Sequence, residues 1–204
     1  MSSVFPMSRT QSTWQPTLYP RKKYIKTIGL EEHINAVSWK KVPNWNDTAY
    51  LNGEEVELSS SDYSSGWYVL YFYPLDFTFI CPTEIKGFQS LYKDFEDIGV
   101  AIVGASTDSY HSHNAWLADE KTFPVRISHP IIADTNHGIC KDFGVLNEEA
   151  GVAYRATVIV DDNDTIRSLA INDLSAGRSP SETLRTVLAL QSGGSVSYTH
   201  LRAH

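Results

Sequence analysis

The sequence predicts an α/β sandwich, a central mixed β-sheet flanked by helices, and three observations lead there. Short apolar runs rich in β-branched and aromatic residues recur along the chain, with helical segments between them. The segment 82–97 carries Ile85, Phe88, Leu91, Tyr92 and Phe95 at three- and four-residue spacings, the stripe of an amphipathic helix that packs on a sheet. A turn cluster, Asp-Asp-Asn-Asp at 161–164, separates the last two apolar runs and implies a hairpin.

Taken in order, strands are expected at 67–74, 99–107, 129–134, 155–161 and 165–172. Strand, helix, strand, helix, then a hairpin and a final helix imply a sheet parallel in its first part, with an antiparallel pair at one edge. The final helix opens with Ser179 as N-cap, Pro180 at the first helical position and Glu182 at N3, the pattern of a capping box. Residues 31–192 contain no internal repeat and no low-complexity stretch, and are expected to form one domain. Residues 1–30 differ: they lack Asp and Glu but carry Arg9, Arg21, Lys22, Lys23 and Lys26 among many hydroxyl residues. This leader fits either a flexible N-terminal extension or an organelle transit segment, and is set apart from the core.

Composition narrows the function. Of 204 residues, 42% are hydrophobic and 20% charged, near the averages of globular proteins. No apolar run reaches the roughly 18 to 20 residues of a membrane span, and no secretory-type apolar core is present. The expected setting is cytoplasmic, or an organelle if residues 1–30 are a transit peptide. A formal charge of −7 offers no source of phosphate neutralisation, so nucleic acid is excluded as a partner. Two cysteines, Cys81 and Cys140, rule out a disulfide framework; a lone thiol is then either a small buried hydrophobe or a reactive group.

The stretch Asp-Phe-Thr-Phe-Ile-Cys-Pro-Thr-Glu, 76–84, bears on that choice. A strand ending near Pro74 and a helix beginning at about Pro82 place Cys81 at or next to a helix N-cap. The helix N-terminus carries about half a positive charge and unpaired N–H groups, which favour a thiolate over a neutral thiol. Pro82 has no N–H, so donors would come from Cys81 and from residues after Pro82. Thr78, three residues before Cys81, offers a hydroxyl that can reach the sulfur or a substrate oxygen. A buried, inert Cys81 remains the competing reading.

Pro74, Thr78 and Cys81 form a P-x-x-x-T-x-x-C pattern, and this segment resembles the active-site segment of the peroxiredoxins. With Ala-Tyr-Arg-Ala-Thr-Val-Ile-Val-Asp at 153–161 and the block 171–185, the resemblance covers about residues 50–192 and is to the typical 2-Cys, alkyl hydroperoxide reductase C-subunit type. It implies a thioredoxin-like fold and thiol-dependent reduction of hydrogen peroxide, alkyl hydroperoxides or peroxynitrite. Cys81 would be the peroxidatic nucleophile that becomes a sulfenic acid. Pro74 would shield the pocket from water, Thr78 would hydrogen-bond the peroxide, and Arg155 would hold both thiolate and peroxide. Glu84, Trp116 and Arg178 match supporting positions. The resemblance implies no metal, haem or flavin cofactor. Electrons would come from thioredoxin, a flavoprotein disulfide reductase or another small thiol system, and the assembly would be a homodimer or decamer.

Other signals are weaker. Cys140 reads as structural, with a bond to Cys81 left open; that bond would require unfolding of the helix start, because bridged Cα atoms lie within roughly 7 Å. His137 and Cys140 share a helical face but are two ligands only, a weak zinc case. His111 and His113 read as solvated. Residues 193–204 resemble no part of the family and contain no resolving cysteine, so the tail reads as a foreign or divergent ending, and the chain as a one-cysteine enzyme dependent on an external thiol. Two other classes compete: a thiol-disulfide oxidoreductase, disfavoured because Cys81 lacks a C-x-x-C partner, and a non-catalytic holdase chaperone or peroxide sensor.

Overall fold

The computed structural model describes residues 40–193. The basic leader at 1–30, the expected domain start at 31 and all of the 193–204 tail but its first residue lie outside the described residues. The described chain opens with a hairpin of β1 (Asn46–Leu51) and β2 (Glu54–Ser59), turned by Asn52 and Gly53, both at positive φ. An Asn-Gly pair meets that backbone requirement at little steric cost. Then come β3 (Trp67–Phe72), α1 (Cys81–Ser90), α2 (Tyr92–Asp97), β4 (Val100–Ser106), α3 (Tyr110–Leu117), β5 (Ile131–Ala133) and α4 (Gly138–Asp142). A small ribbon of β6 (Leu146–Asn147) and β7 (Val152–Ala153) precedes β8 (Arg155–Val160), β9 (Ile166–Asn172) and α5 (Pro180–Gln191).

The main sheet has seven strands in the order β2-β1-β5-β4-β3-β8-β9. Parallel pairing is confined to β3–β4 and β4–β5; antiparallel pairs extend the sheet on both sides, not at one edge as the sequence suggested. The helix expected over 82–97 is two: Leu91 leaves helical geometry at φ −101° and ψ 6°, and its N–H bonds back three residues to Phe88 O. The apolar stripe survives this break, because Phe88 and Phe95 both remain buried.

Alternation along the strands sorts the core into two layers. On β3, Tyr68, Leu70 and Phe72 join the layer that holds Cys140, Ile139 and Phe143 of the α4 region. Val69, Tyr71 and Tyr73 face the other layer, with Cys81, Ile85 and Phe88 of α1, Trp116 of α3 and Val187 of α5. Burying a side chain such as Phe88 contributes roughly 2 kcal/mol, so each layer is a substantial source of stability. Two glycines permit close approaches that the site needs. A Cβ on Gly104 would lie 2.8 Å from the Tyr71 ring, and one on Gly87 would lie 2.8 Å from Pro180 Cγ, where α1 meets α5. Helix α5 starts as expected: Ser179 Oγ accepts from the Glu182 N–H. The Glu182 carboxylate, however, turns to Arg185 instead of returning to the cap.

Candidate active site

Cys81 is the first residue of α1, and its sulfur is fully buried. The amides expected to face it are partly spent: Thr83 N–H and Glu84 N–H both turn back to Ile80 O, at 3.0 and 3.4 Å. Cys81 keeps its own amide, which at this position has no intrahelical partner. The cation comes from another strand. Pairing of Tyr71 with Thr157 carries the antiparallel β3–β8 register on to set Arg155 opposite the end of β3, where the loop to α1 begins. Arg155 Nη1 lies 3.4 Å from Cys81 Sγ.

That guanidinium is fixed from behind. Its Nε donates to Leu174 O at 2.7 Å, and Nη1 also donates to Glu84 Oε2 at 2.7 Å. Glu84, itself buried one turn into α1, is shared: its Oε1 accepts from the Arg178 backbone N–H at 2.8 Å and from Arg178 Nε at 3.1 Å. Arg178 further donates to Phe72 O and Ala156 O, and sits 5.5 Å from the centre of the Tyr71 ring. Burial draws the Arg178 guanidinium below its ordinary range, with Glu84 opposing that shift. Tyr71 stacks on Phe88 at 4.3 Å and bonds His129 Nε2 at 2.7 Å; burial pushes the Tyr71 hydroxyl well above its usual range and His129 down to about 3.

The other sequence-predicted residues lie on the loop before α1. Pro74 is buried. Thr78 donates its hydroxyl proton to Leu75 O at 2.9 Å, which leaves the oxygen able only to accept. With Phe77, Phe79, Pro82, Lys86 and Trp116, Thr78 lines an open groove of about 400 Å³ beside the helix start. Between Asp76 and Thr78, Phe77 adopts φ 55°, a left-handed conformation that costs a bulky residue on the order of 1 kcal/mol. Trp116 is buried, 5.0 Å edge-on to Phe123 and 5.8 Å from Phe77.

Two expectations change. His113 is not solvated: it is completely buried, with Nδ1 2.8 Å from Asp76 Oδ2 and Nε2 3.2 Å from Ile132 O, while His111 stays exposed. Its place on the inner face of α3, one turn from Trp116, was the available signal. Cys140 lies in the opposite core layer from Cys81, with the sheet between them, so no local unwinding of α1 brings the two sulfurs together. Burial, with Asp134 adding to it, pushes the Cys140 thiol far above its ordinary range and keeps it protonated. His137 sits at φ 63° before α4, and among the described residues no group of three or more metal-ligating side chains forms around it.

The AhpC/TSA family profile matches residues 40–169. Peroxiredoxin prdx-2 of Caenorhabditis elegans is 45% identical over 154 residues, 74% of this chain and 77% of that protein. Peroxiredoxin-1 of Gekko japonicus is 44% identical over 160 residues, 77% of this chain and 80% of that one. The crystal structure of Enterococcus faecalis AhpC superposes with a TM-score of 0.74 at 33% identity, covering 82% of this chain and 98% of that one. With a thioredoxin-like sheet, a cysteine opening a helix beneath a fixed arginine, and relatives of this kind, the chain belongs to the AhpC/TSA family and is a peroxiredoxin, a thiol-dependent peroxidase.

Proposed function

We propose that Cys81 is the nucleophile that reduces hydrogen peroxide and alkyl hydroperoxides, with Arg155, Thr78 and Pro74 around it. The observation that carries this reading is the Arg155 guanidinium 3.4 Å from the Cys81 sulfur, braced by Leu174 O and Glu84. Two buried guanidiniums against one buried carboxylate leave one positive charge in excess, which a thiolate at Cys81 balances.

The thiolate attacks the terminal peroxide oxygen. An S–O bond forms, the O–O bond breaks, and the departing oxygen takes a proton and leaves as water or alcohol; the sulfur is left as a sulfenic acid. Negative charge grows on the departing oxygen, so a guanidinium already fixed nearby stabilises the transition state more than the ground state. Thr78, having given its proton to Leu75 O, accepts a hydrogen bond from the peroxide. Pro74, buried and without an N–H, keeps water from the sulfur.

An incoming thiol then attacks the sulfenic sulfur, releasing water and forming a disulfide, and a second thiol reduces that disulfide. Because Cys140 lies across the sheet from Cys81, it does not supply the resolving thiol. Thioredoxin, a flavoprotein disulfide reductase or another small thiol system supplies the electrons, in a reducing compartment such as the cytoplasm. Leu75, Phe77 and Phe79, all exposed, with Phe79 at 96%, support self-association of this face into a dimer or decamer. Peroxide consumption with a thioredoxin system, compared with dithiothreitol alone, tests the cycle: Cys81→Ser must abolish turnover with both, and residual turnover in that variant would sink the assignment.

A further inference from the structure

The loop that carries Thr78 is held by a buried polar cluster that the chemistry above does not use. Asp76 is 6% exposed. One of its carboxylate oxygens accepts from Tyr73 Oη at 2.8 Å; the other accepts from Ser112 Oγ and His113 Nδ1, each at 2.8 Å. Its N–H donates to Asp108 Oδ2 at 2.9 Å, and Asp108 accepts from Ser106 Oγ at 2.7 Å. His113 Nε2 lies 3.2 Å from Ile132 O. A single loop residue is thereby tied to the end of β4, to α3 and, through His113, to β5.

The next residue is Phe77 at φ 55°. A bulky side chain keeps that conformation only where its surroundings over-determine it. Restraints stand on both sides: the Asp76 bonds before Phe77, and the turn closed by Thr78 Oγ1 on Leu75 O after it. If the first were released, Phe77 would relax toward ordinary φ and carry Thr78 with it.

We infer that Asp76 is a positioning residue for peroxide reduction: its buried carboxylate clamps the loop to α3, holds Phe77 left-handed, and so fixes the Thr78 hydroxyl beside the start of α1. The inference rests on the reading that Thr78 receives the peroxide. Misplacing a positioning group by about 1 Å can cost roughly a hundredfold in rate.

The test compares two second-order rates at Cys81, with hydrogen peroxide and with iodoacetamide, in the wild type and in Asp76→Ala, Asp76→Asn and Ser112→Ala. Iodoacetamide needs the sulfur but no hydrogen bond to Thr78. Asp76→Ala is expected to lose about tenfold or more with peroxide while its alkylation rate falls no more than about threefold. Asp76→Asn, which still accepts from Tyr73 and donates to a shifted His113 tautomer, is expected to recover most of the peroxide rate. If Asp76→Ala fails to fold, Ser112→Ala, which deletes one donor, is expected to slow the peroxide reaction alone. Variants that match the wild type with peroxide, or that lose both rates in parallel, would overturn the inference. A wild type inert toward peroxide would instead overturn the reading beneath it.

Discussion

At the scale of the residue, the site turns on how few donors serve several tasks. Arg155 bonds Leu174 O, Glu84 and Cys81 Sγ at once, which requires a planar fork of fixed N–H groups. A lysine ammonium is a point donor on a flexible stem. Arg155→Lys should therefore lower the peroxide rate constant by about a hundredfold, the cost typical of losing one preorganised transition-state donor. Stopped-flow measurement of Cys81 oxidation reads this directly, and a loss under about threefold would count against the role of Arg155. His129 makes a prediction of another kind. Burial holds it down to about 3, whereas an unfolded histidine titrates near 6.5. Between those values the unfolded chain binds the extra proton, so this contribution to stability is complete above about pH 6.5 and is lost as pH falls toward 3. Urea midpoints measured from pH 7 to pH 4 should fall by an amount corresponding to roughly a few kcal/mol, and His129→Gln should flatten that slope.

At the scale of the element, α1 does most of the positioning, and its contact with α5 depends on the absence of one methyl group. Pro180 opens α5 with a rigid ring against Gly87. Gly87→Ala gains about 1 kcal/mol of helix propensity but forces an overpacking that costs about 1 to 3 kcal/mol. A net loss of about 1 kcal/mol, and a Tm lower by a few degrees, is expected from thermal melts. Strands β3, β4, β5, β8 and β9 were legible from their apolar runs, and the start of α5 from Ser179, Pro180 and Glu182, because those signals are local. The split at Leu91 was not, since an apolar stripe reads the same through a tightened turn. The β1–β2 hairpin carries a local sign, Asn52-Gly53 between strand residues, but its strands are less apolar than those of the sheet centre. Antiparallel strands on both sides of the sheet reflect long-range pairing that no local window contains.

At the scale of the whole molecule, the sheet separates two chemistries. Thr78 and Cys81 were legible as a candidate site because both lie in one loop-to-helix stretch; Arg155 came from a resemblance, since only the β3–β8 register brings it within reach of a cysteine 74 positions away. The buried role of His113 was hidden for the same reason: its partner Asp76 lies 37 positions away. The two-layer core also fixes what Cys140 does. Cys140→Ala should leave the peroxide rate within about twofold while lowering stability by about 1 to 2 kcal/mol, as removal of a small buried group does at a site remote from the chemistry. The most direct test of the account is the intact mass of the reduced protein, measured without reductant after one equivalent of hydrogen peroxide, alongside Cys81→Ser. One added oxygen on the wild type and none on the variant is the predicted result. A loss of two hydrogens with no change in chain number would mean a bond between Cys81 and Cys140, and would contradict the placement of the two sulfurs on opposite faces of the sheet.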